Sequence, residues 1–238
     1  MGTAVLVHGA WSSPADWRWV ASRLHARGIQ TAIPDLPSHR ERSADRPADV
    51  REVQAAIAIA TADPPVAVVG WSYGGAVISD LTDISRIDRL IYLGSYPEPV
   101  DTASSGEPLD PDSMPWLLFP DDATAVLDTD WWLGTPEVAA WPGEVVSHLR
   151  EHRRRPITRS AWLPGPAGEA WRNVPTTITI GRSDIFVPAE QQEQLRTQFS
   201  DVRIVDGDHF LLFLQPDVVT EIIAETFATV NRRNRVPR

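Results

Sequence analysis

Short apolar runs alternate with longer amphipathic stretches along most of the chain. Ala4 to Val7 reads as a buried strand, and Pro14 to Arg27 as a helix stopped by Gly28. Gln30 to Ile33 reads as a second strand closed by Pro34, and Val50 to Ala62 as an Ala- and Ile-rich helix. Val66 to Val69 and Leu90 to Leu93 follow as strands, with a helix from Tyr73 to Leu81 between them. Thr176 to Ile180 and Val202 to Val205 add two strands, and Ala189 to Phe199 and Pro216 to Val230 two helices, the first of them opened by Pro188. Continuous apolar strands separated by helices indicate a parallel sheet covered on both faces. The expected class is therefore α/β, with about six strands.

The rhythm stops between Pro97 and Pro166. This stretch is rich in proline and holds Trp116, Trp131, Trp132, Trp141 and Trp162. A structureless loop of that length is improbable inside a domain. It is read as a helical cap, residues 97–166, inserted into a core built from 1–96 and 167–238. Exposed indoles are costly, so several of these tryptophans are expected on the core or around a pocket. The polar tail from Asn231 to Arg238 is expected to fray.

Composition narrows the chemistry. The 238 residues suit one large domain. A formal net charge of -10 disfavours nucleic acid and anionic membranes as partners. Cysteine is absent, which removes thiolate catalysis, disulfides and cysteine metal sites. Lysine is absent too, which removes Schiff-base chemistry and phosphate loops of the Gly-Lys-Ser type. Met1-Gly2-Thr3 leads into an apolar run ending at His8, with neither a basic stretch before it nor a small-residue cleavage site after it. No secretory signal is expected from that pattern, no run of about 18 apolar residues exists, and a cytoplasmic location is expected.

Gly70-Trp71-Ser72-Tyr73-Gly74-Gly75 follows one strand and precedes a helix. A serine on a sharp strand-to-helix turn leaves no room for side chains two residues before and after it, so glycine is needed at both places. Such a turn lifts the Ser72 hydroxyl clear of the sheet at a helix N-terminus. A hydroxyl is a weak nucleophile and needs a base. His209, in Gly207-Asp208-His209-Phe210 just past the Val202 to Val205 strand, emerges at the same sheet edge. His25 falls on a polar helix face, His39 in a loop, and His8 at a strand end as a structural residue. His148 and His152 stand one turn apart but lack the nearby carboxylates a metal would want, so no metal site is expected. Asp184, in Gly181-Arg182-Ser183-Asp184, fits best as the acid that orients the imidazole, ahead of Asp206 and Asp208. Oxyanion donors are expected from the backbone N–H groups of Tyr73 and Ala10, with Trp11 as second candidate for the latter. Trp11, Trp71, Trp131, Trp132 and Phe210 are the candidates for the pocket wall.

Together these residues resemble the α/β-hydrolase superfamily. Within it, the opening Val5-Leu6-Val7-His8-Gly9-Ala10-Trp11 and the ending Gly207-Asp208-His209 with Gln215-Pro216 are similar to the plant methylesterase and hydroxynitrile lyase group and its bacterial esterase relatives. The resemblance covers Thr3 to Pro97 and Val174 to Val230. It implies an α/β-hydrolase fold and a serine hydrolase that cleaves a carboxylic ester or lactone of a small, largely apolar molecule through an acyl-enzyme, with no cofactor. Lyases of that group carry threonine where this chain has Gly9 and lysine where it has Phe210, which points to hydrolysis. The group's elbow reads Gly-His-Ser-Leu-Gly; Trp71 and Tyr73 depart from it and alter the pocket wall. A non-hydrolytic enzyme (cyclase, lyase or C–C cleavage) and a hydrolase-like ligand receptor are the alternatives.

Overall fold

The computed structural model describes residues 2–60, 65–97, 114–162 and 168–233, the last five by backbone alone. β1 (Thr3–Val7) is buried along its whole length. A 3-10 turn at Pro14–Trp17 then opens α1 (Arg18–Ala26), so the helix expected from Pro14 begins as a tighter coil behind its proline. β2 (Gln30–Ala32) is a short edge strand. α2 (Arg46–Ala60) starts a turn earlier than its apolar pattern, since Pro47 sits in the first turn where a missing N–H costs nothing. β3 (Val66–Trp71), α3 (Tyr73–Ser79) and β4 (Arg89–Leu93) follow.

The inserted segment comes next. It holds β5 (Leu117–Leu118), β6 (Thr124–Leu127), α4 (Thr129–Leu133), α5 (Pro136–Ala139), α6 (Gly143–Glu151), β7 (Ile157–Thr158) and α7 (Arg159–Trp162). The expected helical cap is helical only in part: α4 to α7 are joined by β5, β6 and β7, which pair as a small antiparallel sheet. Parts of the expected cap, 98–113 and 163–166, lie outside the described residues. β8 (Thr176–Gly181), α8 (Ala189–Gln198), β9 (Val202–Val205), α9 (Leu211–Leu214) and α10 (Pro216–Arg233) complete the core. Asn231 to Arg233, expected to fray, continue α10, since no proline or glycine interrupts them; the rest of the tail lies outside the described residues.

The six core strands are all parallel in the order β2-β1-β3-β4-β8-β9. Strand residues alternate between the two faces. Ala4, Leu6, Ala67, Val69, Ile91 and Leu93 pack with Leu24 of α1 and Ile223 of α10. Val5, Val7, Val66, Val68, Leu90 and Tyr92 pack with Val53 of α2, Val77 of α3 and Leu195 of α8. The chain runs outward from β1 to β2, then returns across β1 to β3. The strand order therefore reverses between β1 and β3, and a crevice opens beyond their C-terminal ends. Among the described residues no helix is long and apolar enough to cross a membrane.

A buried ionic cluster ties the inserted segment to the core. Asp16 accepts hydrogen bonds from Ser12 Oγ at 2.5 Å, His148 Nε2 at 2.8 Å and Arg154 Nη1 at 2.7 Å. Burial pushes the Asp16 carboxyl up, but the Arg154 guanidinium and the bonds from His148, Arg154 and Ser12 outweigh it and hold the carboxyl well below the usual range. The folded carboxyl thus titrates below the unfolded one. Its stabilising contribution is complete above the unfolded pKa of about 4 and is lost as pH falls toward the folded value. Asp16→Ala strands Arg154 without its partner. It is expected to cost ~3–5 kcal/mol in urea unfolding at neutral pH, with the deficit shrinking in acid.

Candidate active site

The backbone after β3 does what the glycine spacing anticipates. Ser72 takes φ +52° and ψ -121°, a conformation that side-chain-bearing residues rarely adopt. The turn is fastened by Ser72 N–H to Leu93 O at 3.0 Å and Gly75 N–H to Ser72 O at 2.8 Å. A Cβ on Gly70 would lie 2.4 Å from Gly74 O, and one on Gly74 2.5 Å from Val7 O, so both positions exclude any side chain. Ser72 Oγ makes no hydrogen bond among the described residues. Gly9, in the loop after β1, comes so close that a Cβ there would sit 3.1 Å from Ser72 Cβ and 3.0 Å from the Trp71 ring.

His209 and Asp184 arrive on the loops after β9 and β8. His209 Nδ1 bonds Asp184 Oδ2 at 2.9 Å, and both residues are buried. Asp184 Oδ1 accepts Phe186 N–H at 2.9 Å, which fixes the carboxylate plane. The other carboxylates near the imidazole in sequence are engaged elsewhere. Asp206 is exposed beside Arg182 at 3.2 Å, and Asp208 Oδ1 accepts Phe210 N–H at 2.8 Å. Burial raises the Asp208 carboxyl above its usual range, against the bond from Phe210 N–H and the His209 ring.

Two supports of the imidazole were not legible as such. Trp71 Nε1–H donates to His209 O at 2.9 Å, so the residue before Ser72 anchors the loop that carries the histidine. Gly94, at the end of β4, has φ +56°, and a Cβ there would lie 3.1 Å from His209 Nδ1. Nothing local marked Gly94 as a neighbour of the imidazole, or Trp71 as a donor to a loop 138 residues away. Tyr73 also does more than expected. Its hydroxyl donates to the buried Asp49 at 2.6 Å, and Asp49 Oδ1 accepts Ser38 N–H at 2.9 Å, which fixes the first turn of α3 from below.

Ser72 and His209 open on one cavity of about 680 Å³. Ala10, Tyr73, Trp11, Trp71, Trp131, Trp132 and Phe210, all singled out from the sequence, line it. Trp116 and Trp162 join them, and Trp141 packs instead against Trp132 and Phe210 in the core. Arg46 and Arg154 also reach the wall, paired with Asp80 at 2.7 Å and Asp16 at 2.7 Å. His8 and His39 lie outside this wall, with rings edge to face at 4.7 Å, and burial holds His39 well below its ordinary pKa. His148 and His152 stack at 4.5 Å, but His148 belongs to the Asp16 cluster; among the described residues no group of three His, Asp or Glu side chains is placed to hold a metal ion.

A family model described as "Alpha/beta hydrolase family" matches residues 4–222. A pyrethroid hydrolase from Sphingobium faniae JZ-2 superposes with a TM-score of 0.70 at 23% identity, over 94% of this chain and 96% of that one. A methylesterase from Arabidopsis gives 0.70 at 20% identity, over 96% and 100%. Tomato methylketone synthase I with 2-tridecanone gives 0.68 at 15% identity, over 96% and 98%. At these identities the likeness is one of fold. The search of curated sequences found no match.

Gly94→Ala is expected to move the His209 ring off Asp184 and to lower stability by about 1–3 kcal/mol, because the new side chain must accept a left-handed backbone. Imidazole NMR should show the Nδ1 proton changing its shift or exchange, and denaturant melts should show the loss of stability.

Proposed function

The chain belongs to the alpha/beta hydrolase family, and from that premise we propose that it is a serine hydrolase cleaving a carboxylic ester or lactone of a largely apolar substrate. One observation carries the reading: the imidazole bonded to a buried carboxylate, 2.9 Å from it, shares a cavity with a serine held on a left-handed strand-to-helix turn. Two features of that arrangement serve acyl transfer. The bond to Asp184 occupies Nδ1 of His209 and leaves Nε2 to take a proton. The close approach of Gly9 to Ser72 brings the loop carrying Ala10 beside the nucleophile.

In the proposed cycle His209 Nε2 takes the Ser72 proton as Oγ attacks the acyl carbon. The backbone N–H groups of Ala10 and Tyr73 receive the oxyanion. The tetrahedral centre collapses, His209 protonates the departing alcohol, and an acyl-Ser72 ester remains. Water, deprotonated by the same nitrogen, attacks that ester and releases the acid, and the proton returns to Ser72. Asp184 stabilises the transient imidazolium. None of these steps calls on a cofactor.

The wall supports a neutral substrate with aromatic or bulky aliphatic parts. Six tryptophans face the space, while the charges of Arg46 and Arg154 are already met by Asp80 and Asp16. A side chain at position 9 would press on Ser72 and Trp71, so glycine there keeps the loop carrying Ala10 close to the serine.

A fluorophosphonate is expected to label Ser72 in the wild type and not in Ser72→Ala, read by peptide mass spectrometry. Ser72→Ala and His209→Ala should abolish turnover of p-nitrophenyl esters without unfolding the protein. Asp184→Asn should lower kcat by about ten-thousandfold, the scale seen when the orienting acid of a triad is removed. In ¹⁸O-labelled water the released acid should carry solvent oxygen. Conversion without label would mean non-hydrolytic chemistry, and ligand binding with negligible turnover would mean a receptor.

A further inference from the structure

The loop that would carry the Ala10 donor contains a second backbone oddity. Trp11 has φ +58°, and apart from Ser72 it is the only described non-glycine residue with positive φ. A tryptophan adopts that conformation only where its surroundings over-determine it. The surroundings here come from the inserted segment. Arg155 N–H donates to Trp11 O at 3.0 Å, and Arg155 Nε–H to Ser12 O at 2.9 Å. Trp11 Nε1–H donates to Ala125 O of β6 at 3.1 Å. The Trp11 ring stands edge to face against Trp116 at 5.7 Å and Trp162 at 5.0 Å.

Arg155 is itself held in place. Its Nη2 donates to Asp35 Oδ1 at 2.6 Å and its Nη1 to Asp35 Oδ2 at 3.2 Å, a two-pronged pairing on the loop after β2. One guanidinium therefore joins the inserted segment, the loop after β1 and the loop after β2. Arg155 does not line the cavity, so it acts through the backbone it grips.

We propose that Arg155 is a positioning residue that clamps Trp11 and Ser12 so that the Ala10 N–H is aimed at the oxyanion, with Asp35 as its anchor. This rests on the hydrolase reading above. Fixing the Trp11 φ orients the Ala10–Trp11 peptide, and the Ala10 N–H, on the preceding Gly9–Ala10 peptide, is then turned only by the two Ala10 dihedrals. Loosening the clamp lets Trp11 relax toward negative φ and turns the donor loop with it. A planar fork is needed to serve Ser12 O and Asp35 together, which a lysine ammonium supplies poorly.

The test compares wild type, Arg155→Lys, Arg155→Ala and Asp35→Asn. Each is assayed for kcat and KM on a p-nitrophenyl ester and for inhibition by an aryl boronic acid, whose tetrahedral adduct with Ser72 places an oxygen in the oxyanion site. Arg155→Ala is expected to lose about 30-fold or more in kcat with KM within about threefold, and boronate affinity should fall in proportion to kcat across the series. Asp35→Asn keeps both bonds from Arg155 to the loop and should fall in the same sense by less; it stands in if Arg155→Ala does not fold. Guanidinium at millimolar concentration should restore part of kcat in Arg155→Ala. An active wild type whose folded variants keep kcat within twofold, or lose kcat without losing boronate affinity, overturns the clamp alone. A wild type that neither turns over esters nor takes a phosphonate at Ser72 overturns the hydrolase reading and the clamp with it.

Discussion

The architecture of this site depends on how closely one stretch of backbone can fold against another. Gly70, Gly74 and Gly9 each meet atoms at 3.0 Å or less where a Cβ would stand. Those approaches let α3 begin within one residue of β3 and let the β1 loop lie against the turn. Ser72 then has nowhere to go but outward, in a conformation it would not choose alone. Strain of this kind persists because the sheet on both sides is continuous, buried and parallel, so relaxing the turn would unpair β3 from β1 and β4.

The same economy governs the histidine side of the crevice. The imidazole is bounded by a carboxylate, by a glycine whose Cβ would lie 3.1 Å from Nδ1, and by an indole bound to the His209 carbonyl. Phe186 and Phe210 flank it with ring centroids at 4.6 and 5.5 Å. Its orientation is therefore set by the ends of β3, β4, β8 and β9 at once, which is why loops from four strands can act as one rigid frame.

Much of this could be read from the residues. The six strands were visible as apolar runs, and the glycine spacing located Ser72 because that turn cannot form otherwise. Chain order and strand ends drew attention to Asp184 and His209, and the structure brings those two together at hydrogen-bond distance. What escaped has physical reasons. β5 and β7 are two residues long, too short for any periodicity, so the antiparallel sheet of the inserted segment was invisible. Asp16, His148 and Arg154 are more than 130 residues apart in sequence at their contacts, and each alone looks like an ordinary surface charge. Arg155 sits in a run of three arginines, and no local pattern separates the one facing solvent from those gripping Asp16 or the β1 loop.

The ring of indoles around the cavity has an optical consequence. Six of the ten tryptophans face a single space, and Trp11 stands 5.7 Å from Trp116 and 5.0 Å from Trp162, close enough to exchange excitation energy. A guest in the chamber therefore meets more than half of the protein's indoles at once. A guest that displaces solvent there alters the colour and lifetime of the intrinsic fluorescence, so occupancy can be followed with no dye attached.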